Sequence, residues 1–180
     1  MTMADILFSH NRLCPVDYEE IGIAHCNFHL RPGDCDLDEQ LVRDWALGRG
    51  LRFHRTDFDT ATFAAENGMS IEMAARELRY RWFGEICRSF GYDALATAHH
   101  ADDNAETLML NLLRGTGLRG LCGMTAEDVL PCQEAGCRIR LLRPMLHLTR
   151  RQIEAYAAEH AVPFRTDRTN LESDCRRNCI

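Results

Sequence analysis

A chain of 180 residues that is 46% apolar suffices for one buried core, and the expectation is a single domain. No apolar run approaches the roughly 18 residues of a membrane span, and residues 1–20 lack the basic start and apolar stretch of a signal peptide, so neither a membrane role nor a secretion leader is expected. A net charge of −6 argues against an evenly basic nucleic-acid binder, and the absence of lysine excludes a lysine nucleophile or a P-loop lysine within this chain.

The first apolar run, Asp5-Ile6-Leu7-Phe8, reads as a short strand. Ile21 to Cys26 reads as a buried strand, followed by a polar turn through Arg31, Pro32, Gly33 and Asp34. Asp38 to Leu47 has helical spacing and stops at Gly48, and Leu51 to Arg55 alternates like a strand. A short helix is expected over Ala61–Glu66, stopped by Asn67-Gly68. Ser70 is placed as an N-cap, and Ile71, Ala74, Leu78, Trp82, Ile86 and Phe90 recur at spacings of three and four, so a long amphipathic helix should end at Gly91. Ala94 to Ala98 is a small-residue strand, and Asp102 can cap a helix from Asn104 to Leu113. Arg138–Leu142 is a further strand, and Thr149 caps a helix running to about His160. Strands alternating with helices predict an α/β fold: a doubly wound, mostly parallel sheet with helices on both faces. Ligands in such sheets sit beyond the carboxyl ends of the strands, which singles out the segments after Cys26 and after Ala98.

The second of those segments, Ala98-His99-His100-Ala101-Asp102-Asp103-Asn104-Ala105-Glu106-Thr107, carries the most chemistry. Asp103 and Glu106 are three apart and share one face of the coming helix. Paired carboxylates at a strand end suit Mg2+ with its nucleotide phosphates, or a cationic amine. Helix capping by Asp102 or Asp103 accounts for one carboxylate but not for the cluster.

His99-His100-x-Asp102-Asp103-x-x-Glu106-Thr107, followed by Leu112-Leu113-Arg114-Gly115-Thr116-Gly117-Leu118-Arg119-Gly120, resembles the signature of the tRNA(Ile)-lysidine synthetases, a branch of the ATP-pyrophosphatase, or PP-loop, enzymes. Three more stretches fall in the same order: Ala24-His25-Cys26-Asn27-Phe28-His29-Leu30-Arg31, then Ala74-Ala75-Arg76-Glu77-Leu78-Arg79-Tyr80, then Thr166-Asp167-x-x-Asn170 with Arg177-Asn178-x-Ile180. The resemblance implies an adenine nucleotide alpha hydrolase-like, Rossmann-like domain. Its implied reaction uses ATP and Mg2+ to adenylate the C2 oxygen of the wobble cytidine, position 34, in an isoleucine tRNA with anticodon CAU. L-lysine then attacks C2 and AMP leaves. On this pattern Asp103 and Glu106 would hold the lysine ammonium, with Asp103 also a Mg2+ ligand. Arg79 would neutralise phosphate and His99 would steer protons. Ala24, His25, Cys26 and Phe28 would border the adenosine, while His100, Arg114, Gly115 and Gly117 would line the rest of the nucleotide channel.

One departure bears on activity. The family cradles the ATP phosphates in a Ser-Gly-Gly-x-Asp-Ser loop, yet residues 1–20 contain no Gly and Ser9 as their only Ser. Such a cradle needs backbone N–H groups with no Cβ in the way. Residues 1–20 are therefore expected to be an atypical segment in place of that loop, with an incomplete catalytic domain over 21–180. The chain also stops one residue before the Arg expected after Arg177-Asn178-x-Ile180. The expectation is a truncated enzyme that forms no AMP by itself. The alternatives are a remnant that binds nucleotide or RNA without turnover and a tRNA thiolase, although thiolation would want a Cys-x-x-Cys pair that the sequence lacks. A missing innermost strand would leave open sheet edges, which favours a homo-oligomer.

The remaining features carry less weight. Nine cysteines, irregularly spaced, fit a reduced, cytoplasmic compartment. Cys132 with Cys137 and Cys175 with Cys179 lack the close spacing of zinc knuckles and read as independent thiols. Residues 1–137 hold 12 Arg against 22 acids, and residues 138–180 hold 9 Arg against 5. Arg138, Arg140, Arg143, Arg150 and Arg151 could thus form a basic stripe for an anticodon stem, with a plain solvated face the competing reading. Trp45, Phe53, Trp82 and Phe83 read as core rather than as base-stacking platforms.

Overall fold

In the computed structural model the described residues are 1–14, 19–30, 33–115, 122–130 and 138–165. Six helices and five strands lie among them. The chain forms two compact units: one holds residues 4–95 and 129–141, and the other holds residues 1–3, 96–128 and 142 onward.

The larger unit is organised around a strand–helix–strand element. Strand β1 (Gly22–Asn27) pairs in parallel with β2 (Arg52–Asp57), in register from Gly22 with Arg52 to Asn27 with Asp57. Helix α2 (Asp34–Leu47) joins them and packs on both strands, the crossover that a parallel pair requires. Gly33, at φ 80, makes the turn into α2. Gly22 is held to a hydrogen side chain for another reason: a Cβ there would lie 2.8 Å from the ring of Tyr92.

The expected strand at Asp5–Phe8 is instead part of helix α1 (Thr2–Leu13). A four-residue apolar run does not distinguish the two periods. The helical one wins because Phe8 reaches Trp45 edge-on, with ring centroids 6.4 Å apart, and Asp5 meets Arg49 at 3.3 Å. Asp5 in the first turn and His10 and Arg12 in the last also complement the helix dipole.

Helix α3 (Thr60–Glu66) starts at Asp59, whose carboxylate accepts from the Thr62 N–H at 3.1 Å. Helix α4 (Ile71–Phe90) starts at Ser70, whose hydroxyl accepts from Met73 N–H at 3.3 Å, and closes at Gly91 in the left-handed region. The stripe expected to be buried along α4 is only partly so: Ile71 and Phe90, at its two ends, are 40% and 46% exposed. Burial falls on Ala74, Ala75, Gly84, Ile86 and Cys87. Small side chains let α3 approach α4, where Ala64 is buried too. Cys87, Leu130 and Ile139 form a core cluster backed by Tyr80, Tyr92 and Leu95.

A second sheet has the strand order β3-β5-β4, from β3 (Ala94–Ala96), β4 (Glu127–Val129) and β5 (Arg140–Leu142). β3 ends two residues earlier than its small-residue run, although Thr97 N–H still donates to Leu142 O at 2.9 Å. β4 escaped the sequence because a three-residue strand of Glu-Asp-Val carries no periodicity. In the smaller unit, helix α5 (Ala101–Leu113) begins three residues before the expected start, and helix α6 (Arg150–Glu159) has Thr149 and Gln152 as a complete capping box.

Candidate active site

The sequence places its site residues in both units, and each group is built locally. In the larger unit they gather where β1 and β2 end. Along β1, Ala24 is exposed, His25 and Cys26 are half-buried, and Asn27 is 2% exposed. Just past the strand, the Phe28 ring stacks on Phe58, centroids 5.5 Å apart, and Trp82 meets Phe58 edge-on at 6.4 Å. The Arg79 guanidinium lies over the Phe28 ring, 5.0 Å from its centroid. Phe28 and Arg79 are thus brought together as a cation lying on an aromatic face.

Burial pushes the Cys26 thiol up to about 12, with the positive charge of Arg79 working the other way. Burial also lowers His25, against the pull of Glu39 and Asp38. At neutral pH Cys26 is therefore a thiol and His25 an uncharged imidazole, so this strand end offers a neutral lining rather than a nucleophile. Such a lining suits an uncharged heterocycle, and the Arg79 guanidinium beside it is a cation of the kind that meets an anionic group.

In the smaller unit, β3 leads into α5. The His99 ring Nδ1 lies 2.9 Å from Thr97 Oγ1, which fixes the imidazole at the strand end. The N-cap of α5 is His100, not Asp102. Its Nδ1 accepts from Asp103 N–H at 3.3 Å, and Asp103 Oδ2 accepts from His100 N–H at 2.9 Å. This reciprocal box replaces the Asp cap expected from the sequence because the helix starts early enough for His100 to face its third residue. Asp102 instead accepts the N–H of Arg150, the first residue of α6, at 2.8 Å.

Capping therefore occupies one oxygen of Asp103, whose side chain is 37% exposed. Glu106, one turn on, is half-buried and makes no hydrogen bond or ion pair among the described residues. Thr107 Oγ1 donates to Asp103 O at 2.9 Å and Asn104 Oδ1 accepts Met124 N–H at 2.6 Å, so the turn between the two acids is held on both sides. Among the described residues no three His, Cys, Asp or Glu side chains are grouped to hold a metal. Arg114 is the C-cap of α5, and Gly115 follows at φ 68. Gly117 lies outside the described residues, as do Cys132, Cys137, Cys175, Cys179 and the stretches at 166–170 and 177–180.

One member of the expected basic stripe is structural. Arg143 is 7% exposed, with Nη1 donating to Thr125 O at 2.8 Å. A buried guanidinium committed to a backbone carbonyl is not a phosphate contact. Two residues that sequence reasoning passed over, Asn27 and Glu39, are buried polar groups beside the Phe28 turn. Glu39 lies seven residues before the buried Ala46 on α2, and an acid on that stripe was the available signal.

Residues 5–180 match the family model described as the PP-loop domain. The chain belongs to the PP-loop domain family. It is 46% identical to a tRNA(Ile)-lysidine synthase of Porphyromonas gingivalis W83, over 91% of this chain and 34% of that protein. The tRNA(Ile)-lysidine synthase of Chlorobaculum tepidum is 45% identical, over 89% of this chain and 45% of its own length, and that of Clostridium tetani is 36% identical, over 87% and 32%. This PP-loop chain thus spans about a third to under half the length of these relatives. Among solved structures, the U34-tRNA thiolase NcsA from Methanococcus maripaludis matches with a TM-score of 0.60 over 89% of this chain and 52% of that one, at 13% identity. That likeness supports the predicted α/β architecture alone.

Proposed function

We propose that this PP-loop domain serves the tRNA(Ile)-lysidine synthase reaction, an ATP-dependent carbon–nitrogen ligation. The observation that carries the reading is the 46% identity to the Porphyromonas gingivalis enzyme over 91% of this chain. In the reaction, the C2 oxygen of cytidine 34 in an isoleucine tRNA with anticodon CAU attacks the α-phosphorus of ATP, which adenylates that oxygen and releases pyrophosphate. The ε-amine of L-lysine then attacks C2, AMP departs with that oxygen, and the amine loses a proton. The domain's residues fit three parts of this chemistry. Asp103 and Glu106, one helical turn apart, present carboxylate oxygens to the lysine ammonium group and hold it while a proton leaves to free the attacking amine. Phe28 and the neutral Cys26 and His25 lie against the adenosine, with Arg79 on its phosphate side. His99, fixed by Thr97, is placed to pass a proton. His100, Ala24, Arg114, Gly115 and Gly117 are the further residues proposed to bind the nucleotide.

Asp103 is the residue here that would hold Mg2+, which suits an ion held mainly by phosphates and water. The ion would neutralise charge on the ATP phosphates. A reduced, cytoplasmic setting accords with the tRNA substrate.

The test is a chimera in which this chain replaces the corresponding third of the Porphyromonas gingivalis relative, with that relative's own phosphate loop retained. The expected result is incorporation of labelled lysine into the CAU isoleucine tRNA transcript, lost on Asp103→Asn or Glu106→Gln. A folded, tRNA-binding chimera that incorporates no lysine would count against the proposal, as would full activity in both variants. The glycine-free residues 1–20 favour a second reading for the chain by itself, binding of nucleotide or RNA without turnover. AMP release from ATP by the chain with tRNA and lysine would exclude that reading.

A further inference from the structure

The turn after β1 carries a device that the ligation chemistry does not itself require. Asn27 is buried, and both ends of its amide are used. Its Nδ2 donates to Asp36 Oδ1 at 3.0 Å and to Glu39 Oε2 at 3.3 Å, while its Oδ1 accepts the His29 N–H at 3.1 Å. Glu39 takes Arg55 Nε at 2.8 Å and Arg43 Nη2 at 2.6 Å. Arg55 continues to Asp57 at 2.6 Å, and Asp57 meets His29 Nε2 at 2.9 Å. Asn27, Glu39, Arg55, Asp57 and His29 therefore close a ring of hydrogen bonds across the ends of both strands and the first turns of α2.

What the ring encloses is a strained backbone. His29 sits at φ 50, a left-handed conformation that a non-glycine residue adopts only at a cost in strain. His29 is largely exposed, so no core packing demands that conformation. Its consequence falls on the preceding residue. Phe28 is pinned between Asn27, whose carbonyl accepts Phe58 N–H at 2.9 Å, and the turned His29, and its own carbonyl lies 3.4 Å from Thr60 Oγ1. That arrangement sets the Phe28 ring on Phe58 and beneath Arg79.

We propose that Asn27 and Glu39 are positioning residues: through the closed ring they hold the left-handed turn at His29 and so aim the Phe28 ring as a fixed aromatic platform. Which ligand the platform meets rests on the nucleotide site proposed above, whereas the aiming itself does not. Asn27 and Glu39 are the buried members of the ring, and a buried polar pair with its hydrogen bonds made rigidifies the turn that it spans.

The test is proton NMR of the whole chain, following cross-peaks between the Phe28 and Phe58 rings, with Phe8–Trp45 cross-peaks as the control for an intact fold. Asn27→Ala is expected to abolish the Phe28–Phe58 cross-peaks and Glu39→Gln to weaken them, with the control unchanged. Because Asn27→Ala can fail to fold, two substitutions at exposed His29 provide a second arm. His29→Gly, free to adopt a positive φ, should keep the stack, and His29→Val, which resists it, should lose the stack. Unchanged cross-peaks in folded Asn27→Ala, or in His29→Val, would overturn the proposal. ATP titrated into the same samples separates the two readings: lost cross-peaks in the variants with no ATP binding by the parent would uphold the aiming role and defeat the nucleotide site.

Discussion

Replacing Gly22 with Ala puts a methyl group at the foot of β1, directly against Tyr92. The new Cβ would lie 2.8 Å from Tyr92 Cζ and 3.3 Å from His54 Nε2. Neither neighbour moves freely. The Tyr92 hydroxyl is hydrogen-bonded to His54 Nε2 at 3.0 Å, its ring stacks near Phe90 at 6.3 Å, and it backs the Cys87–Leu130–Ile139 cluster. Relieving the clash means displacing Tyr92, which forfeits a hydrogen bond of about 1 kcal/mol and adds overpacking of about 1–3 kcal/mol. Replacing glycine within a strand returns roughly 0.5–1 kcal/mol of backbone entropy. The net expectation is a destabilisation of about 1–3 kcal/mol, read as a lower urea midpoint at unchanged slope. Tyr92→Phe removes the closest atom and should recover part of the loss, so the double-mutant cycle should show coupling. A Gly22→Ala protein as stable as its parent, or a cycle with no coupling, would refute this account of why β1 begins with glycine.

Two further predictions come from the buried titratable groups. With its pKa pushed up to about 12, Cys26 should react with iodoacetamide far more slowly at pH 8 than exposed Cys14 does, and Arg79→Ala should not speed it. Mass spectrometry of the alkylated peptides checks this, and equal rates at the two cysteines would contradict it. Burial lowers both His25 and His54, so the unfolded chain takes up protons below its ordinary value of 6.5 while the folded chain resists. The stabilisation is complete above that value and is lost as the pH falls below it. The urea midpoint should thus drop between pH 7.5 and 5.5, less steeply in His25→Gln. Glu39 acts in a lower window: burial works against its charge, yet the hydrogen bonds from Asn27, Arg55 and Arg43 hold its pKa below the ordinary 4.5. A midpoint that rises on acidification from pH 7.5 to 5.5 would reverse the sign of the histidine argument.

The elements that periodicity and caps specify were legible in the residues. Ser70, Gly91 and Thr149 sit where capping chemistry puts them, and β1, α2 and β2 follow from a buried run, a helical repeat and an alternation. Failures came where local signals were short or shared. Asp5–Phe8 gave a four-residue run that either period accommodates, and contact with Trp45 and Arg49, some 40 residues away, decided for a helix. His100 displaced Asp102 as a cap because imidazole nitrogen accepts a backbone N–H as a carboxylate does, a role that residue preference ranks low. The carboxylate pair Asp103 and Glu106 could be read from spacing alone. Its unequal occupation, with one oxygen of Asp103 in the cap and Glu106 uncommitted, required the structure. The Asn27–Glu39 ring was invisible in sequence because its members come from β1, α2 and β2.

The claim most exposed to test is that Asp103 and Glu106 receive a lysine ammonium group. Calorimetric titration of the chain with L-lysine and with L-norleucine, which matches its carbon chain but lacks the ε-amine, addresses it directly. A charge-assisted hydrogen bond of about 1.5–3 kcal/mol predicts lysine binding at least about tenfold tighter than norleucine, with the advantage removed by Glu106→Gln. Equal affinity for the two amino acids, or a lysine preference untouched in Glu106→Gln and Asp103→Asn, would contradict it.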